Sequence, residues 1–504
     1  MSAMPSRRRF LQTSGILAAG GVLAAAGSRL PAAAAPAPTR LPARPGRRWP
    51  EADRIVRATR RPRIPDRHVE VTAFGAVGDG VTDCTAAFAA AIRALGRHGG
   101  GRLVVPSGRY LTGAIHLESR IDLHVRKDAT IAFSTDPAAY LPAVYTRDGG
   151  IECMNYSPFI YAYGKHDIAV TGEGTLDGQA DNGHWWPWSG KTAFGWQPGM
   201  PTGTEDGTLL GAMADDGVPV TERVFGAGHY LRPQFIQPYR CQNVLISGIT
   251  LHNTPNWQLN PVLCTNVTVE NITASSLGPN NDGCNPECCD HVVISGCTFD
   301  TGDDCIAVKA GKNADGRRVD RPCQNIVISD CDFLAGHGAI TIGSEMTGGV
   351  RNLFAHDCRV NSLTLNQGLR LKTNSARGGV IENINVRDVT IDQVADSAIL
   401  IDFFYGEGPG HGFDPIVRDI RVQRLTVGTA VYPLYAVGYP QDLITGITLR
   451  DTVVEHASRD LVVQYCADVT FDGVVINGAP ATPPVQPPAP AGGTAGAPSE
   501  RRAR

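Results

Sequence analysis

One pattern limits what this chain can fold into more than any other: a segment of about a dozen residues recurs along most of its length. Copies begin at Gln242, Thr265, Asp290, Gln324, Arg351 and Glu382, with fainter ones at His166, Arg418, Thr445 and Ala467. Each opens on a polar pair and runs on as a short apolar alternation. It then turns at a Gly, Asp or Asn and ends on a second short alternation. Period-two runs rich in β-branched residues are strands, and the polar residue between them is a turn. Copies are spaced from the low twenties to the mid thirties, which suits one coil of a solenoid with loops of varying length on one side. Leucine-rich repeats and four-stranded propeller units need patterns that are not present. The expected fold is therefore all-β, a right-handed parallel β-helix.

A solenoid needs its open end covered. The Ala-rich amphipathic stretch from Thr85 to Leu95 predicts a capping helix, with Asp83 or Thr82 at its N-terminus. The glycine-rich Gly75 to Gly80 run before it lacks the Lys-Ser/Thr of a nucleotide loop. Cys297, Cys331 and Cys358 fall at one position of the repeat and are expected to stack in the core as small hydrophobes. Thirteen cysteines make an odd number in a chain too large to need disulfide staples, and Cys288/Cys289 has no second ligand pair at metal spacing.

The two ends read as something other than the solenoid. Arg7, Arg8 and Arg9 followed by an apolar run from Ile16 to Ala26 and small residues before Pro36 resemble a twin-arginine export signal over 1–35. The run is shorter than a spanning helix requires. Residues 36–68 read as a linker, 69–478 as the β-helix, and the Pro/Ala/Gly-rich 479–504 as a disordered tail. The expected mature protein is secreted or periplasmic, monomeric and off the membrane. Losing the four arginines of 1–35 moves the net charge from −3 to −7, which disfavours a nucleic-acid partner. An acidic polymer would need locally gathered basic side chains.

Four polar clusters interrupt the ladder of strands: Asn280-Asn281-Asp282-Gly283, Gly302-Asp303-Asp304-Cys305, Gly336-His337-Gly338 and Arg370-Leu371-Lys372. Asp282 and Asp303 are about one coil apart, so their carboxyls should sit on neighbouring rungs of one solvent-facing surface. Close carboxylates cannot all ionise freely, which leaves a proton donor beside a proton acceptor. Cleavage of a glycosidic bond needs that pair. His337 can tune their protonation, and Arg370 and Lys372, alternating by two, present positive charge on one face. Tyr405 and Trp257 are candidate platforms for a sugar ring.

As a set these clusters resemble the four motifs of polygalacturonases of glycoside hydrolase family 28, and the likeness extends over roughly 69–478. The Gly75 to Asp83 stretch resembles the opening of the wider pectin-lyase-like superfamily. The resemblance implies that Asp303 is the general acid and that Asp282 and Asp304 activate water, giving inversion. It further implies that His337 assists, that Arg370 and Lys372 hold a galacturonate carboxylate, and that Asn280 orients its neighbours or the sugar. It implies a pectin or polygalacturonate substrate and neither metal nor cofactor. The chain departs from the pattern at Asn281, Leu371 and Asn285, the last standing where the family often has Asp. The long stretches 182–219, 311–318 and 406–414 are expected to wall the groove and confine attack to a chain end. Gly343 to Met346 and Gly368 to Asn374 also resemble bacterial exo-acting members. Elimination by a pectate lyase and a non-catalytic carbohydrate-binding solenoid are the competing readings. A lyase would use a cationic base with Ca²⁺, and a binding solenoid would not need all three acids.

Overall fold

The computed structural model describes residues 49–484, so the stretch 1–35 read as an export signal lies outside the described residues, as does most of the expected tail, whose Ala479–Pro480 instead pairs antiparallel with Val475–Ile476. The repeat starts read from the sequence are spatial neighbours, residue for residue. His166 pairs with Gln242, Gln242 with Thr265, Thr265 with Asp290, and Asp290 with Gln324. The register continues through Arg351, Glu382, Arg418 and Thr445 to Ala467. Every one of these pairings is parallel. The chain is a right-handed parallel β-helix.

The residue after each repeat start explains the polar pair. Asn243, Asn266, His291, Asn325, Asn352, Asn383 and Asp419 all have φ between +52° and +62°. Asn and Asp tolerate this left-handed conformation better than other side chains. At this corner Asn266 donates to Asn243 Oδ1 at 2.9 Å, Asn352 to Asn325 Oδ1 at 3.1 Å, and Asn383 to Asn352 Oδ1 at 2.9 Å. The turn between the two short runs uses the same device, at Gly248, Asn271, Gly296, Asp330, Asp357 and Asp388. These two corners join two faces of the prism into one 26-stranded sheet.

The third face carries the site. Its strands Ile306–Val308, Gly338–Ile342, Gln367–Lys372, Ser397–Asp402, Tyr432–Val437 and Val462–Gln464 form a six-stranded sheet. Isolated bridges from Cys284 to Ile306 and from Leu259 to Cys284 carry the same column toward the N-terminal coils. Inside the coils, like apolar residues stack. The expected column Cys297, Cys331 and Cys358 is buried, and so is a second column of Cys241, Cys264, Cys289 and Cys323, one residue before the repeat starts. All thirteen cysteines are unpaired and buried.

Helix α2 (Thr85–Arg97) caps the N-terminal end, burying Ala87, Phe88, Ala91, Ile92 and Leu95. The residue at its cap is Cys84, and Asp83 accepts the Thr85 N–H at 2.9 Å, while Thr82 turns instead to Asp79. Within the stretch read as a linker lies a further helix, α1 (Pro50–Ala58), preceded by Trp49. Its Ala52 and Ile55 pack with Val327 and Phe354 on the outside of the β-helix. A single apolar stripe of two or three side chains in a short, charged helix was too weak a periodic signal to see.

Candidate active site

The four clusters converge because each follows or sits on the same face. Asp282 and Asp304 lie two residues before the paired Cys284 and Ile306, and Gly283 N–H donates to the Asp304 carbonyl at 3.0 Å. His337 N–H donates to the Asp303 carbonyl, which sets that pair on adjacent rungs. Thr341 pairs with Arg370, and Lys372 with Asp402, on the two strands above. A Cβ on Gly338 would stand 2.3 Å from Thr341 Oγ1 and 3.1 Å from Asp304 Oδ1, so only glycine leaves room there for Arg370 to reach back to Asp304. Each of Asp282, Asp303 and Asp304 offers a carboxylate oxygen, and these lie within 4.8 Å of one another.

Two of the three acids do not face solvent as expected, while Asp303 keeps part of its side chain exposed. Asp304 is fully buried and Asp282 is 3% exposed, because Arg370 and Lys372 pack on the first and Asn285 and Lys309 on the second. Arg370 Nη1 lies 2.9 Å from Asp304 Oδ1 and Lys372 Nζ 2.7 Å from Asp304 Oδ2. The two cations expected to meet substrate thus already compensate one buried carboxylate. Arg370 spends one donor on it and leaves its Nε without a partner. Both cations also lie over the half-buried Tyr405 ring, at 5.7 and 5.0 Å.

Electrostatics splits the three acids. Burial, then the charge of Asp303, pushes the Asp282 carboxyl up to about 8 against the pull of Lys309. Burial also raises Asp303, but the hydrogen bond and charge of His337, whose Nδ1 is 2.9 Å from Oδ1, hold it below the ordinary value. Asp304 is likewise held low, since Lys372 and Arg370 outweigh its burial. The Asp303 hydrogen bond in turn raises His337. The three acids titrate as one coupled group, with Asp282 pushed up and Asp303 and Asp304 held down.

Several site residues were not anticipated from the sequence. Lys309, three residues beyond Ile306 on the Asp304 strand, places Nζ 3.7 Å from Asp282 Oδ2 and 2.8 Å from Glu345 Oε2. Glu345 and Asp282 hold this buried ammonium above its ordinary value although burial acts to lower it. Trp257 is buried beneath it, with the ammonium 4.5 Å from the ring. Arg232 donates to the Pro255 and Pro279 carbonyls and to Asn280 Oδ1, which turns the Asn280 amide N–H toward Asp303 Oδ2 at 3.4 Å. A lone Lys at the end of an apolar strand was the one available signal for Lys309. Glu345 fell within the Gly343 to Met346 stretch that the resemblance had marked, and Arg232 had no signal.

A hairpin that was not anticipated lies against two of the three stretches expected to wall the groove. An antiparallel hairpin of Val144–Asp148 and Ile151–Asn155 bends over the cleft, and Lys312 N–H donates to the Gly150 carbonyl at its tip. A Cβ on Gly150 would stand 2.9 Å from Glu345, so the tip lies directly against the Lys309 partner. Helices α3 (Gly203–Asp215) and α4 (Asn313–Val319) lie within two of the predicted loops and touch each other and the hairpin. Arg377 joins α4 to the third loop through Asn313 Oδ1 at 2.7 Å and Glu407 Oε1 at 3.0 Å.

Residues 227–430 match the family model for glycosyl hydrolases family 28. A probable polygalacturonase of Vitis vinifera is 30% identical over 414 residues, covering 79% of this chain and 76% of that one. An exo-poly-alpha-D-galacturonosidase of Dickeya chrysanthemi is 26% identical, covering 71% of this chain and 62% of that one. The structure of a hyperthermoactive exopolygalacturonase from Thermotoga maritima superposes with a TM-score of 0.83 at 46% identity, covering 85% of this chain and 96% of that one.

Proposed function

The chain belongs to glycoside hydrolase family 28, and from that premise we propose that it hydrolyses α-1,4-galacturonosyl bonds of polygalacturonate from a chain end. The observation that carries this reading is three carboxylates with unequal proton affinities at the floor of a walled cleft, beside Arg370 and Lys372. Buried cations gathered around acids supply the local positive charge that a chain of negative sign needs to accept an acidic polymer. The donors that Arg370 and Lys372 do not spend on Asp304 face the substrate carboxylate, and Tyr405 packs beside them.

With Asp303 as the general acid, its proton comes from Asp282 when the glycosidic oxygen arrives, and Asp282 and Asp304 then activate water. A second assignment makes Asp282 itself the donor, and the raised Asp282 carboxyl favours it. A substrate with a phenolate leaving group separates the two, because it needs no protonation. The variant lacking the true donor, Asp303→Asn or Asp282→Asn, regains rate on that substrate and the other does not. Carboxylate oxygens within 4.8 Å of one another are closer than the roughly 6.5–9.5 Å of most inverting pairs. The anomer first formed, followed by proton NMR, decides between inversion and retention.

The contact of the hairpin tip with Lys312 and Glu345 supports exo action. Product analysis on polygalacturonate tests both halves: early release of galacturonate or a very short product supports the proposal, and a steep fall in viscosity at low reducing-end yield rejects exo attack. An unsaturated, ultraviolet-absorbing product would reject hydrolysis itself. Residues 1–35 fit export by the twin-arginine route. Arg7→Lys with Arg8→Lys should retain the protein inside the cell, and undiminished activity in the medium would point to another route.

A further inference from the structure

Four buried side chains run in single file from the roof of the cleft to its floor. Thr146, in the hairpin strand, donates through its hydroxyl to Gln237 Oε1. Gln237 Nε2 donates to Asn260 Oδ1 at 2.8 Å, and Asn260 Nδ2 to the Asn285 carbonyl at 2.9 Å. Asn285 Nδ2 then donates to Asp282 Oδ2 at 2.8 Å. Gln237, Asn260 and Asn285 are fully buried and Thr146 is nearly so. Register explains the file: Gln237 belongs to the strand Ile236–Tyr239, whose column continues through Leu259 and Cys284, each followed by one of the asparagines.

The direction of the three bonds from Thr146 to the Asn285 carbonyl follows from the last of them. A backbone carbonyl only accepts, so the NH₂ of Asn260 must face Asn285 and its oxygen must face Gln237. Gln237 must then present NH₂ to Asn260 and oxygen to Thr146, whose hydroxyl is left as the donor. These protons point toward the Asn285 backbone carbonyl, and the Asn285 side-chain amide makes its own bond to Asp282 Oδ2. Bonds aligned this way polarise one another in a dry setting.

We propose that Asn285, held through its backbone carbonyl by this file, is a positioning residue that reserves Asp282 Oδ2 as an acceptor and so confines a proton on Asp282 to Oδ1. The hairpin that roofs the cleft is thereby tied to the carboxylate whose proton the reaction moves. The inference rests on the hydrolase reading for its consequence, but its first test does not. Removing a donor to the ionised form raises a carboxyl pKa. Infrared difference spectra against the matching Asp282→Asn protein report the titration of this one carboxyl without turnover. Asn285→Leu should move its midpoint up by about one pH unit, and Thr146→Val, three bonds away, in the same direction by a few tenths of a unit. The alkaline limb of kcat/KM on polygalacturonate should move up with it, with kcat down about tenfold and KM within about twofold. A merely structural contact would lower the melting temperature and leave the midpoint alone. An unmoved midpoint in either variant overturns the proposal, whereas a wild-type protein inert on polygalacturonate would overturn the substrate assignment and leave the infrared result standing.

Discussion

The Asn corner and the acidic floor are built on the same coils, yet they stack side chains by opposite rules. At the corner, Asn243, Asn266, Asn325, Asn352 and Asn383 repeat one residue type in one conformation, and most hand a hydrogen bond to the coil before. On the floor, neighbouring rungs set Asp282, Asp304 and Gly338 in one column, with Arg370 and Lys372 reaching back from the fourth. A repeated column satisfies itself and asks for nothing more. A column of unlike charges is satisfied only by cross-bracing from elsewhere, and that unevenness is where protons can move.

The largest break in the comparison is Asp304→Asn. Loss of one acid–base group is worth roughly 10²–10⁴ in turnover. Here it also strands two buried cations, and breaking a buried pair costs about 3–5 kcal/mol. The variant should lose both rate per folded molecule and several degrees of melting temperature. Near-normal rate on polygalacturonate would remove Asp304 from the mechanism. Arg370→Ala comes next: KM on polygalacturonate should rise about 10- to 100-fold, since a charge-assisted contact is lost. Normal kinetics would return Arg370 to the scaffold.

Both rules were legible in the sequence, but unequally. The repeat starts predicted the register coil by coil, because a left-handed corner accepts few residue types and leaves a polar mark at a fixed place. The breaks in that mark located Asp282, Asp303, Asp304, His337, Arg370 and Lys372 on one face. The resemblance attached roles to them. What stayed hidden lies in insertions that obey no repeat: the hairpin 144–155, Arg232 and the tip against Glu345. Their partners are far away in sequence, as with Arg223, whose Nη1 reaches Asp315 at 2.7 Å in α4. Burial of the acids was hidden because it comes from side chains reaching between rungs, as Arg370 and Lys372 do to Asp304 and Asn285 to Asp282.

A subtler break is the sign of the Asp282 contribution to stability. Its carboxyl, ordinarily near 3.8, is pushed up to about 8 in the folded protein. A folded state that binds the proton more tightly is helped by it fully below about pH 4, and that help is lost as pH rises through about 8. Asp282→Asn mimics the neutral acid, so its melting temperature should fall less than wild type between pH 5 and 8.5, by a few degrees. Activity should collapse in the same protein. Parallel melting curves across that pH range would show that Asp282 is ionised throughout.

The smallest effect tests the corner itself, at Asn352. Its φ is +57°, it donates to Asn325 Oδ1 at 3.1 Å, and it accepts from Asn383 at 2.9 Å. Asn352→Gly and Asn352→Ala both remove the two ladder bonds, worth about 1 kcal/mol each. Only alanine adds the cost of a Cβ in the left-handed region, about 1–2 kcal/mol. Denaturant unfolding should therefore rank wild type above the glycine variant and glycine above alanine, with turnover per folded molecule unchanged in both. The gap between glycine and alanine isolates backbone conformation from hydrogen bonding at a site remote from the chemistry. If glycine and alanine are equally destabilised, the corner is held by its ladder of side-chain bonds and not by the tolerance of asparagine for this φ. If turnover falls with stability corrected for, the corner and the floor are coupled, and the contrast between them is not one of independent parts.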